Sequence, residues 1–328
     1  MSKSGTFFEL YKASLKSKDT EEWIDIVFTR PIGLVFALLW NKLGIHPNVI
    51  TILSIFLGIG AGVMFYFTDI YHNLLGILLL VLANLCDSTD GQMARLSGKT
   101  SLVGRILDGL SGDVWFFSIY LALCLRLQGQ TIPGTTTEWG IWIWLLAILS
   151  GALSHSPQSS LADYYRQVHL FFLNGRNGSE LDTSEEQKAL ADKAKAEGKT
   201  LEYIFRVNYA GYCRSQEKRT PEFQKLYKVM NEKGIDAASA DSPQEKSILE
   251  TLRDVSRPLM PNANFLSFNS RAIILYITCL LNIPWLYMLI EITVYNMVYM
   301  YMRNTHETFS KKVCKIIEEN YAGKGVYI

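Results

Sequence analysis

Little in this chain points to the classes into which a sequence is most readily sorted. Its 328 residues include five cysteines, Cys86, Cys124, Cys213, Cys279 and Cys314, an odd number with no C-x-x-C spacing. That arithmetic argues against a disulfide framework or a structural zinc site and agrees with a reducing compartment. Charge is nearly balanced, 32 Lys and Arg against 31 Asp and Glu, for a formal net charge of +1. The basic residues form no stripe, so nothing favours nucleic acid as a partner. Neither an internal repeat nor a low-complexity run is present. The opening residues, MSKSGTFFELYKASLKSKDTEEW, are charged and interrupted and do not read as a signal peptide.

What the chain does contain is apolar sequence in blocks. Hydrophobic residues make up 49% of it, yet the mean hydropathy is only slightly positive. Apolar stretches diluted by polar ones explain both facts, and the pattern predicts an all-α integral membrane protein with six transmembrane helices. The predicted spans are 48–67, 73–96, 101–127, 138–154 with a polar continuation to 173, 268–282 and 284–303. Each of the longer ones reaches the ~20 residues that cross a ~30 Å hydrocarbon core. Before them, 29–43 is apolar but short, has Arg30, Trp40 and Lys42 at its ends, and is expected to lie in the interface. Gly44 and Pro47 then break it. Gly58, Gly60 and Gly62 are expected to permit close helix packing.

The organisation that follows is a cytoplasmic N-terminal arm and interfacial helix (1–47), transmembrane helices 1–4 (48–173), a cytoplasmic helical insertion (174–265), and helices 5–6 with a C-terminal tail (266–328). Charge supports the orientation. The turns 68–72, 128–138 and 281–285 hold no Lys or Arg, and only Arg126 lies near them. Arg95, Lys99, Arg105, the insertion and the tail after Arg303 lie on the other side, which the positive-inside rule makes cytoplasmic. Within the insertion, Ser184 with Gln187 suggests a capping box, Thr220-Pro221 opens a helix stopped by Gly234, and Ser242-Pro243 opens another.

The chemistry is concentrated between residues 86 and 113. Asp87, Asp90, Gly91 and Ala94 fall at i, i+3, i+4 and i+7, one face of a helix. Gly104, Asp108 and Ser111 repeat that spacing on the next. Carboxylates beside apolar helices are costly unless a cation gathers them, and hard oxygen ligands suit Mg²⁺ or Mn²⁺. Two classes of protein use such a cluster: a metal-dependent enzyme, or a cation transporter. The grouping of the aspartates at one face, with few ionisable groups in the opposite half, argues against a transport path.

The same residues resemble a known signature. CDP-alcohol phosphotransferases carry D-x2-D-G-x2-A-R-x8-G-x3-D-x3-D, and Asp87, Asp90, Gly91, Ala94, Arg95, Gly104 and Asp108 stand in that register. The last aspartate would fall on Gly112, and Asp113 comes one residue late. The resemblance implies a two-metal site of Mg²⁺ or Mn²⁺ held by Asp87, Asp90, Asp108 and Asp113, with Asp113 or Asp108 as general base. Gly91, Ala94, Arg95 and Gly104 would bind the CDP moiety, with Asn48 and Thr51 as lesser candidates from a P-N-x-x-T helix start. A single π-bulge would bring Asp113 back into register.

The implied reaction is transfer of a substituted phosphate from a CDP-alcohol to an acceptor hydroxyl, with CMP leaving. CDP-diacylglycerol with a polar acceptor such as inositol or inositol phosphate is favoured over CDP-ethanolamine or CDP-choline with a lipid acceptor, diacylglycerol or a ceramide. Arg166, Asp163 and Arg271 are acceptor candidates, since paired arginines suit a phosphate. His155 could touch substrate or serve packing alone. The partners implied are these substrates, membrane lipid and a second copy of the chain.

Overall fold

The computed structural model describes residues 7–14, 17, 19–98 and 102–321. The first residues of the arm, Lys99, the Arg105 side chain and the tail beyond 321 lie outside what is described. Among the described residues the regular elements are all helical, and one isolated bridge joins Thr131 and Glu138.

The chain divides into two units, residues 1–157 with 268–295, and residues 158–267 with 296–328. In the first unit, α1 spans Phe7–Ser14, a π-helical turn spans Asp25–Thr29, and α2 spans Arg30–Lys42. Pro31 follows at the start of α2, where its missing N–H costs nothing. The helix ends at Gly44, which takes φ 75°, a left-handed conformation that suits glycine.

Next, α3 (Pro47–Phe65) starts on His46, whose ring accepts from the Asn48 N–H at 3.2 Å. Then α4 runs Ile70–Ser97, opened by Asp69 as N-cap and closed by left-handed Gly98. At 1.5 Å per residue its 28 residues extend about 42 Å, well beyond a ~30 Å hydrocarbon core. Asp87 and Asp90 therefore fall near the far boundary of the apolar layer. After the turn, α5 (Leu102–Leu127) brings Asp108 into its second turn. The expected glycine packing is present. A Cβ at Gly58 would stand 1.9 Å from Trp115 Cδ1 and one at Gly62 2.2 Å from Ser118 Oγ, so α3 and α5 meet backbone to side chain.

Beyond α5, α6 (Gly140–Ala147) passes into a π-helical segment, Ile148–His155. The first unit is completed by α13 (Phe268–Leu280), α14 (Trp285–Ile290) and a π-helical turn, Glu291–Tyr295. Ala61, Phe65, Leu80, Trp115, Ile119, Leu123, Leu275 and Tyr287 form its apolar core. Arg126 is buried beside that core. It donates to Phe65 O and Asn73 Oδ1, both at 2.9 Å, to Cys279 O at 3.3 Å and to Asn282 Oδ1 at 2.7 Å.

Among the described residues, four helical stretches are long and apolar enough to cross a membrane: Pro47–Phe65, Ile70–Ser97, Ile106–Leu127 and Gly140–Asn174. The 268–280 helix has 13 residues, about 20 Å, which falls short of a crossing by itself.

The second unit holds α7 (Ser156–Asn174) from Gln158 onward, then α8 (Ser184–Ala196), α9 (Thr200–Arg219), α10 (Pro221–Lys233), α11 (Pro243–Ser256), α12 (Met260–Phe265) and α15 (Asn296–Tyr321). Ser242-Pro243 opens α11 as expected, and Ser242 also forms a capping box with Glu245. The predicted box of the insertion is displaced and lies one residue earlier: Thr183 with Glu186 caps α8, and Gln187 is buried. Tyr165, Phe172, Phe223, Tyr227, Phe309 and His306 fill the core, with the His306 ring stacked on Tyr165 at 3.9 Å. Burial holds the His306 imidazole well below its ordinary range, down to about 3.

Candidate functional site

The site is built where the end of α4 meets the start of α5. The Ser111 hydroxyl donates to Asp87 Oδ1 at 2.7 Å, joining the two helices through side chains at the predicted helical spacing. Asp87 lies in the field of Asp108, and Asp90 in the fields of both. Three carboxylates therefore share one locality, from two helices. Asp90 is 4% exposed and its Oδ2 has no hydrogen-bond partner. A buried carboxylate oxygen left bare is costly, so this atom is one that a cation would satisfy. Among the described residues no three acidic, histidine or cysteine side chains close to a ligand cage. The aspartates are grouped without being drawn onto one point. Oxygen-only donors at this density fit Mg²⁺ or Mn²⁺.

The other predicted donor-site residues lie close by. Thr51 is buried on α3 beside Asp90, and its hydroxyl also donates to Pro47 O at 3.3 Å. Asn48 is half-buried one turn earlier. A Cβ on Gly91 would lie 3.4 Å from Arg95 Nη1, so the Arg95 guanidinium covers the glycine. Ala94 and Gly104 are half-buried.

The helix through Asp113 is regular. Leu102–Leu127 is α-helical without a π turn, and π geometry occurs instead at 25–29, 148–155 and 291–295. The expected bulge is thus absent, even though Gly109 and Gly112 stand in open space. In a regular helix Asp113 projects about 200° round from Ser111, away from the side that meets Asp87, and it is exposed. The geometric support for Asp113 is lost with the bulge.

The acceptor candidates are held within their own units. In the second, Arg166 donates to Asn264 Oδ1 at 2.8 and 3.2 Å and to Ser267 Oγ at 2.5 Å, while Asp163 is exposed. In the first, Arg271 is 1% exposed, pairs with the fully buried Glu291, and lies over the Tyr295 ring at 4.6 Å. His155 Nδ1 stands 3.6 Å from Glu291 Oε1 without a hydrogen bond. Glu291, whose partner the sequence leaves open, thus takes Arg271. The two π-helical segments supply His155 and Glu291, and such segments collect at functional positions.

Sequence reasoning gave the stretch 20–33 no place at the site. Glu21, Glu22, Asp25 and Arg30 lie before any recognised motif, yet Asp25 and Arg30 act electrostatically on Asp87. The Asn269 amide donates to Glu22 Oε2 at 2.9 Å and Asp25 Oδ1 at 3.2 Å. The available signal was the density of carboxylates, T-E-E-W-I-D, just ahead of an apolar run.

Helices long and apolar enough to cross a membrane, with an aspartate cluster at the ends of two of them, are the features that an integral membrane protein of helical class would show. Residues 44–158 match the family model for CDP-alcohol phosphatidyltransferase, a family whose members are transferases. The bifunctional IPC transferase and DIPP synthase of Aquifex aeolicus (strain VF5) is 28% identical over 107 residues, which are 33% of this chain and 22% of that protein. The chain thus spans about a fifth of that relative's length.

Proposed function

We propose that the protein transfers a substituted phosphate from a CDP-alcohol to an acceptor hydroxyl in phospholipid synthesis, releasing CMP. The observation that carries the reading is the Asp87, Asp90, Asp108 group, locked by Ser111 and placed in the matched domain.

Asp87, Asp90 and Asp108 would hold two Mg²⁺ or Mn²⁺ ions. Such ions, bound, neutralise the pyrophosphate and stabilise the leaving phosphate. Arg95, lying over Gly91, offers a fork to a donor phosphate, while Gly91, Ala94 and Gly104 leave room for the nucleotide beside the backbone. Asn48 and Thr51 extend that pocket. Asp108, exposed on the side facing Asp87, is the better-placed group to take the proton of the attacking hydroxyl, with Asp113 as the alternative base.

CDP-diacylglycerol is the favoured donor and inositol or its phosphate the favoured acceptor; the relative named as an IPC transferase and DIPP synthase is consistent with the inositol-type acceptor alone. Asp163, Arg166 and Arg271 remain the acceptor residues of this reading. Six spans, with 268–282 and 284–303 completing the four long helices and 29–43 in the interface, put both termini and the site on the cytoplasmic face. A homodimer is the assembly this reading carries.

The test is CMP release by the purified protein in detergent, with CDP-diacylglycerol, Mg²⁺ or Mn²⁺ and a panel of polar acceptors. CDP-ethanolamine with diacylglycerol or ceramide runs in parallel. Release that needs both metal and one acceptor supports the reading and names the substrate. Metal-driven cation flux into vesicles, without CMP release from any donor, overturns it.

A further inference from the structure

The start of α2, which precedes both the aspartate signature and the matched domain beginning at residue 44, is fastened to the motif helix. The Gln92 side-chain amide donates to the backbone carbonyl of Arg30 at 3.2 Å. A Cβ on Gly33 would stand 2.7 Å from Gln92 Nε2 and 3.3 Å from Thr89 Oγ1. The first turn of α2 therefore rests directly on the turn of α4 that carries Asp87 and Asp90.

Arg30 opens that first turn, and Glu21 holds it. Arg30 Nε donates to Oε2 at 3.1 Å, and Nη2 donates to Oε1 at 3.2 Å and Oε2 at 3.0 Å. The side chains are 16% and 6% exposed. Glu21 thus occupies one edge of the guanidinium. Among the described residues the other edge, at Nη1, makes no hydrogen bond. Arg30 is also near enough to Asp87 to act on its charge.

The guanidinium that Glu21 holds thus stands in the neighbourhood of Asp87, a carboxylate that the reading above gives to the metal ions. A fork held on one side by a buried carboxylate loses little freedom when its free edge meets a second planar or tetrahedral anion. Carboxylates predominate here, with Glu22 and Asp25 sharing the Asn269 amide. A fixed positive group among them marks where an anionic ligand, rather than a further cation, is received.

We infer that Arg30 is a phosphate-contacting residue of the donor site, offering its Nη1 edge to the diphosphate of the CDP-alcohol, and that Glu21 is the positioning residue that aims it. This rests on the donor reading above.

The experiment uses the full chain in detergent with Mn²⁺, titrated with CDP as the probe, together with donor and acceptor KM values and the thermal midpoint. Arg30→Gln is expected to weaken CDP binding and raise the donor KM by about 10- to 100-fold, leaving the acceptor KM unchanged. Arg30→Lys should recover part of the loss, because the charge stays and the fork does not. Glu21→Gln should shift CDP binding in the same direction by less. Unchanged CDP affinity in Arg30→Gln and Arg30→Lys, with thermal midpoints lowered as in Glu21→Gln, would show a fastening role only and overturn the inference. A wild-type protein that binds no CDP would overturn the donor reading as well, and the two failures differ because this one is already present without any substitution.

Discussion

Ser111 and Asp87, 24 residues apart, are joined by a 2.7 Å hydrogen bond from the serine hydroxyl to a carboxylate oxygen. The same hydroxyl also lies 2.8 Å from the Asp108 carbonyl, so it ties α4 to α5 at the level of the aspartates. Its position, three residues past Asp108, makes it the reporter of which side of α5 faces the site.

Ser111→Ala removes that tie and leaves Asp87 free to rotate. A hydrogen bond to a charged group contributes about 1.5–3 kcal/mol, so kcat/KM should fall about tenfold or more. The metal concentration giving half-maximal CMP release should rise with it. An unchanged metal titration would count against a positioning role for Ser111.

Asp108→Asn and Asp113→Asn separate the two candidate bases. The regular helix puts Asp113 on the side away from Ser111, so Asp113→Asn should keep turnover within a few-fold of the wild type. Asp108→Asn should lose about 100-fold or more, as removal of a general base does. If Asp113→Asn is the variant that loses activity, the base assignment to Asp108 is wrong.

Gly58→Ala places a methyl 1.9 Å from Trp115 Cδ1. The indole is buried, and overpacking of this kind costs about 1–3 kcal/mol. The thermal midpoint in detergent should fall, while Gly60→Ala, whose Cβ would meet Leu79 at 3.4 Å, should change it little. Equal midpoints for the two variants would contradict the close α3–α5 contact.

Acid sensitivity should trace in part to His306. Its pKa in the folded chain, about 3, lies below the ordinary 6.5 because burial disfavours the charged ring. The unfolded chain therefore binds the extra proton first. Stability is full above about pH 6.5 and is lost as pH falls toward 3, by about 2 kcal/mol at pH 5. His306→Phe should flatten the decline in thermal midpoint between pH 7 and pH 5. A decline as steep as in the wild type would place the acid-sensitive group elsewhere.

The sequence by itself determined the class of the protein and most of the aspartate site. Helical periodicity is a local property, so Asp87, Asp90 and Gly91 on one face, and Asp108 with Ser111 on the next, follow from spacing alone. Gly58 and Gly62 announced close packing for the same reason, since absence of a side chain is legible without a partner. The punctuation of the second unit was equally local: Pro221, Gly234 and Ser242 act through their own backbones.

Tertiary structure decided what depends on a distant partner. Glu291 found Arg271, and Arg126 found four acceptors from three other stretches of chain, pairings that no periodicity encodes. Whether α5 bulges at Asp113 is likewise visible only in the structure, where the helix is regular throughout. The placement of Arg30 near Asp87, with Glu21 bonded to its guanidinium, belongs to the same kind. Chain separated by about 60 residues meets there through the Gln92 amide, which bonds the backbone carbonyl of Arg30. Contacts of that range arise from the summed packing of many side chains and leave no mark on the sequence around either partner.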